Sequence, residues 1–162
     1  MARIIIADAG PLIAFAGIDA LHVLQKLFSE INIAQAVKHE CLVKPGTDSQ
    51  RIELAINAGW IKIVTPTVAT GLISPALGAG ESESICFAME STDESLLIVD
   101  DRLARRFALK QGINIVGTVR ILYFAEQRGL IGSAKQTIVE MSAIGYRISV
   151  ELLNKLNQGQ VR

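Results

Sequence analysis

The sequence predicts an α/β domain of three layers, α/β/α, with a central parallel sheet of about four or five strands and further helices at the C-terminus. Two observations predict it. Short aliphatic runs, apolar at consecutive positions, recur between longer amphipathic stretches, as in strands buried on both faces with helices between them. Half of the 162 residues are hydrophobic but only 5% are aromatic, so the core is built from Ile, Leu, Val and Ala. A chain of this length suits one domain with a core of its own.

In chain order, "RIIIAD" (3–8) reads as a buried strand stopped by Asp8 and Gly10. Pro11 suits the first position of a short helix ending near Gly17. Asp19 is placed to cap "ALHVLQKLF", whose Leu21, Leu24, Leu27 and Phe28 share a face. "EINIA" (30–34) is a second strand, followed by the helix "QAVKHECLV". After the Pro45-Gly46 break, Thr47 or Asp48 can cap "SQRIELAINAG", with Gly59 as its stop. "WIKIV" (60–64) is a strand, and residues 65 to 80, with two prolines and three glycines, form the longest loop.

Beyond that loop, "ESESICFAMEST" is a helix, "SLLIV" a strand, "DRLARRFALKQG" a helix and "INIVG" a strand. "TVRILYFAEQRG" is a helix capped by Thr118, and two more helices follow at about 133–144 and 149–157. With no internal repeat, the chain reads as a single domain over 1–162, its core spanning about 1–130 and a helical extension about 131–162.

Sixteen basic residues balance sixteen acidic ones. That argues against coating nucleic acid by bulk charge and leaves room for a localised basic strip. Cys41 and Cys86 lack metal spacing and read as reduced, buried thiols. His22 and His39 are too few for an imidazole-based zinc site. The first apolar run is interrupted by Asp8 and Pro11 and is too short to span a bilayer, so the cytoplasm is the expected compartment.

The acids fall where chemistry is expected. In open parallel α/β folds, ligands collect beyond the carboxyl ends of the strands. Asp8 follows the first strand, and Asp100 and Asp101 follow the strand at 95–99. Glu83 lies in the first turn of the preceding helix, and Glu40 in the helix after strand 30–34. Two carboxylates at about 4 Å repel by roughly 1 kcal/mol in water and several-fold more near a protein interior. Magnesium or manganese, which take oxygen ligands and keep several waters, would relieve that repulsion.

Each acid also has a plainer role open to it. Asp8 and Asp101 can cap their helices, Glu40 can pair with Lys44, and Asp100 reads as a turn residue rather than a primary ligand. Glu81 and Glu83, about 200° apart around a helix axis, cannot both face one pocket.

The ordered segments "IIIADAGPLIAFA", "INIAQAVKHECL", "GESESICFAME" and "LLIVDDRLAR" together resemble a PIN domain, the nuclease fold of VapC-type toxins and related RNA-cleaving proteins. The resemblance runs to about residue 130, and the tail is similar to that of a PIN-like subgroup with a C-terminal helical extension. Counting eighteen residues back from Asp101 selects Glu83, so the resemblance implies an acidic quartet of Asp8, Glu40, Glu83 and Asp101, with Asp8, Glu83 and Asp101 as metal ligands. It further implies Mg²⁺ or Mn²⁺, hydrolysis of RNA phosphodiesters, a homodimer and a small antitoxin-like partner. Two positions depart from the family pattern: Glu stands where Asp is usual, and Val99 where Thr or Ser is frequent.

Arg102, Arg105 and Arg106 share a helix face by their spacing and would hold the RNA backbone; a solvated face pairing with Glu90 or Asp93 is the alternative. A PIN-fold binding module without strong catalysis is the competing function. A phosphoacceptor reading lacks its acidic pair after the first strand, and "GAGESES" lacks the third glycine of a dinucleotide site.

Overall fold

Three consecutive isoleucines, Ile4 to Ile6, favour extended backbone and open the first strand, β1 (Arg3–Ala7). The structure, a computed structural model, describes residues 3–67, 74–148, 152, 154 and 155. After β1 come α1 (Ala9–Gly17), α2 (Leu21–Phe28), β2 (Ile31–Ala34), α3 (Gln35–Leu42), α4 (Thr47–Asn57) and β3 (Ile61–Val64). The second half holds α5 (Ala79–Glu90), β4 (Glu94–Ile98), α6 (Arg102–Lys110), β5 (Asn114–Val116), α7 (Thr118–Gln127) and α8 (Ala134–Ala143).

The five strands are all parallel, in the order β3-β2-β1-β4-β5. The chain therefore builds outward from β1 on one side, then returns to add β4 and β5 on the other. Side chains alternate across each strand. Ile5, Ala7, Leu96 and Ile98 join one apolar cluster with α1, α2, α7 and α8. Ile6, Leu97 and Val99 join a second with α5 and α6. Helices on both faces make the three layers the aliphatic runs predict. Val99, buried in the second cluster, fills core space where the family pattern often has a hydroxyl.

Several helix starts differ from the sequence expectation, and the reasons are tertiary. Asp19 does not cap α2, which starts after Ala20; it adopts a positive φ of 57° and pairs with Arg51 at 3.4 Å. The cap position of α4 is Gly46, whose N–H is satisfied by Ser49 Oγ at 3.0 Å, instead of Thr47 or Asp48. Thr118 lies inside α7, after Gly117 at the cap position. Gly59 does close α4, at φ 90°. The expected helix at about 149–157 falls largely outside the described residues, as do residues 68–73 of the expected loop. Cys41 and Cys86 are free and buried. Among the described residues no helix is long and apolar enough to cross a membrane.

Candidate active site

The point where strand order reverses lies between β1 and β4, and in open parallel sheets ligands collect beyond the carboxyl ends of the strands there. Ala7 pairs with Ile98, and the Asp8 N–H donates to the Ile98 carbonyl at 2.9 Å, which carries the ladder one residue further. This pins Asp8 at the end of β1, where it is only 8% exposed. It stands at the cap position of α1 yet makes no side-chain capping bond there.

Glu40 reaches the same place from α3. A Cβ built on Gly80 would lie 3.5 Å from Asp8 Oδ1, 3.4 Å from Glu40 Oε1 and 3.1 Å from Val37 Cγ2. The two carboxylates therefore converge on the first turn of α5, and the separation of those oxygens cannot exceed the sum of the two oxygen distances. The amide end of a helix carries partial positive charge and eases the approach of anions. No ion pair joins Glu40 to Lys44 among the described residues.

Gly80→Ala tests this packing. A helical Gly→Ala change contributes up to about 1 kcal/mol of stability, but the methyl would crowd Val37 and fill the gap against both carboxylates at van der Waals contact. We expect a melting temperature within a few degrees of wild type and Mn²⁺ affinity, measured by calorimetry, lowered about tenfold, as for disturbed ligand support. Unchanged affinity would show that the carboxylates do not need this gap.

Asp101 is exposed and caps α6, its Oδ2 accepting from the Ala104 N–H at 2.9 Å. A carboxylate has lone pairs to spare beyond one cap, and Asp101 still acts electrostatically on Asp8 and Glu81. Asp100 turns away: its Oδ1 accepts from the Thr118 N–H at 2.8 Å and its Oδ2 from Thr118 Oγ1 at 2.6 Å.

Glu81 and Glu83 divide their roles. Because α5 begins at Ala79, Glu81 is the third helical residue, and its carboxylate accepts from the Gly78 amide, half of a capping box. From there its charge acts on Asp8, and those of Asp101 and Glu40 act on it. Glu83 Oε1 instead accepts from the Ala36 N–H at 3.3 Å. The cap position of α3 is Ala34, which has no side chain to offer, so Glu83 supplies the missing cap from another helix.

Burial lifts the Asp8 carboxyl from 3.8 to about 7; the Ala9 amide offsets part of the rise, and the charges of Glu81, Glu40 and Asp101 add to it. Among the described residues no cation contributes. Glu81 is raised too, mainly by burial and then by Asp101. Burial, with Glu40 and Asp8 next, pushes the Cys41 thiol up to about 12, so it stays protonated. Among the described residues no group of three or more His, Cys, Asp or Glu closes on one point as a ready-made metal cage. The donor chemistry nevertheless fits a hard divalent cation that keeps most of its waters: two convergent carboxylates, two more at the rim, and no thiolate or imidazole among them.

Of the three arginines read as backbone contacts, Arg102 and Arg106 are exposed. Arg105 is half-buried and donates from Nη1 to the Val99 carbonyl at 2.9 Å, which ties α6 to the end of β4.

Sequence reasoning missed Gly80 as the contact point, and it weighed Glu81 against Glu83 without seeing that Glu81 is coupled to Asp8. The signal for both was the run "GAGES", two small residues flanking the helix start just before an acid. Compared with known families, residues 4–159 match the family model DUF3368, a PIN domain. No curated protein matches the chain.

Proposed function

The chain belongs to the PIN-domain family, and from that premise we propose that it is a divalent-metal-dependent endoribonuclease, acting as the toxin of a toxin–antitoxin pair. PIN domains are generally nucleases and typically use divalent metals. What supports this reading here is the convergence of Asp8 and Glu40 on Gly80 at the strand-order reversal, with Glu81 and Asp101 in the same field and, among the described residues, no ion pair to neutralise them. Asp8 and Glu40 would hold Mg²⁺ or Mn²⁺. When bound, such an ion would supply a water of lowered pKa and neutralise charge on the phosphate. Asp101 and Glu81, at the rim, would order its waters, and Glu83 supports the site by holding the helix that carries Glu40.

Purified protein incubated with structured RNA is expected to cleave it with Mn²⁺ or Mg²⁺ and to stop with EDTA. Glu81→Gln should cost at least about tenfold in rate, in the range seen when a metal site loses an outer partner. Glu83→Ala should instead lower stability by about 1 kcal/mol, the usual cost of a lost cap, with a smaller loss of rate. The reverse pattern would return Glu83 to the ligand set. A PIN-fold binding module is the second reading, favoured by the absence of a closed three-ligand cage among the described residues. Metal-independent RNA or protein binding without cleavage would establish it.

We also propose a homodimer, for which the exposed Phe124, Val139 and Ile144 offer apolar surface. A small antitoxin-like protein would dock by presenting Arg or Lys to the acids.

A further inference from the structure

The β4–α6 turn has two sides. Asp101 belongs to the acids, while Asp100 lines a separate cavity of about 580 Å³ between α6, the β5–α7 junction and residues 146–148, 152 and 155. None of the four acids lines it. Instead Arg102, Arg105, Arg120 and Arg147 do, four guanidinium groups against Asp100, the one carboxylate among the described lining residues. In a chain with no net charge that is a marked local excess.

Asp100 is already committed. Thr118 donates to both of its oxygens, and the Tyr146 hydroxyl is hydrogen-bonded to it as well. Arg105 is spent on the Val99 carbonyl. Arg102, Arg120 and Arg147 are exposed at the cavity, and among the described residues none of them is in an ion pair.

Forked guanidinium groups match phosphate oxygens better than point charges do. The cavity is far larger than a bare anion needs and lies in the range of small-ligand sites. Ile115, Val119 and Ile148 give it an aliphatic wall for a flat, less polar moiety. We propose that this cavity binds the phosphate of a ribonucleotide, with the base and sugar against the aliphatic wall. The source is either a nucleotide of an RNA strand passing the acids or a free mononucleotide. The inference stands apart from the nuclease reading, because the cavity shares no residue with the acidic cluster.

Calorimetry on the full chain in EDTA at low salt separates the two. 5′-AMP should bind saturably, adenosine at least about tenfold more weakly, since charge-assisted bonds to one phosphate are worth that much. The Arg120→Ala/Arg147→Ala double variant should lose at least about tenfold in AMP affinity while its circular-dichroism melt stays put, as suits two exposed side chains. Arg120→Lys/Arg147→Lys should recover part of the loss. Asp8→Asn should bind AMP like wild type even where cleavage is gone. An end-blocked 2′-O-methyl hexaribonucleotide that displaces AMP identifies the RNA strand as the source, and failure to displace identifies free nucleotide. Adenosine binding as well as AMP, the double variant matching wild type, or an oligo-Glu peptide binding as tightly as AMP would each overturn the proposal.

Discussion

Replacing Asp8 by Asn is expected to lower metal-dependent RNA cleavage by at least about 100-fold while making the metal-free protein more stable at neutral pH. The two effects share one cause. Asp8 is buried beside three other acids, and its carboxyl is lifted from 3.8 to about 7. Between those pH values the folded chain holds a proton that the unfolded chain has released. Stability of the metal-free protein therefore falls as pH rises through that window, by up to roughly 4 kcal/mol if the whole shift acts on folding. Asn keeps the shape and sheds the charge, so the variant should lose this pH dependence and melt higher than wild type above pH 7, with little difference near pH 4.

A divalent ion should reverse the order. It binds the ionised carboxylates of the folded state and not the unfolded chain, so it stabilises by mass action. Wild type should gain melting temperature with Mn²⁺, more at pH 8 than at pH 5.5, and Asp8→Asn should gain little at either. Calorimetric scans with EDTA and with Mn²⁺ at both pH values make the comparison. A wild type that neither destabilises with rising pH in EDTA nor responds to Mn²⁺ would remove the strained-carboxylate account of the site.

Asp8 was legible in the sequence because its cause is local. A β-branched run that stops on a carboxylate puts that carboxylate at a strand end whatever the rest of the chain does, and the same logic reaches Asp101. The aliphatic strands and the glycine closing α4 are likewise written in neighbouring residues. Caps were less legible because their partners come from afar. Ala34 cannot cap α3, and the acid that does so sits 47 residues away on α5. Thr118 looks like a cap in isolation, yet the acceptor that orders it is Asp100, 18 residues earlier. The eighteen-residue count back from Asp101, taken from the family resemblance, chose Glu83 over Glu81. In a helix that starts at Ala79, Glu81 is the third residue and its charge acts on Asp8. The arginine-lined cavity was invisible for the same reason: its cations come from α6, α7 and the tail, and no window of sequence contains them together.

The adjacent aspartates thus answer different demands. Asp101 faces its repulsion in the open, where water, a helix amide and a metal ion can all relieve it. Asp100 has its charge absorbed by the fold, with two hydrogen bonds from Thr118, one from Tyr146 and the field of Arg105. Burial still raises its carboxyl against those partners, so the arrangement is held by the bonds it completes rather than by a favourable charge.

Asp100→Ala should accordingly be the most damaging single change to stability outside the apolar core. It leaves the fully buried Thr118 without an acceptor for its N–H at the start of α7 and for its hydroxyl, and it takes one from Tyr146. Each buried donor left unpaired costs about 1–3 kcal/mol. With relaxation and water entry, the expected loss is about 2–4 kcal/mol, or about 10 °C in melting temperature for a chain of this size. Asp100→Asn, which keeps one acceptor oxygen and removes a buried charge, should lose less than half as much. Thr118→Val removes only the hydroxyl bond and should cost about 1 kcal/mol, and adding it to Asp100→Ala should cost almost nothing further, because the two changes break the same bond. Chemical denaturation of the four variants provides the cycle. Additive losses, or an Asp100→Ala protein as stable as wild type, would mean that Asp100 is held at this position by something other than the α7 start it satisfies.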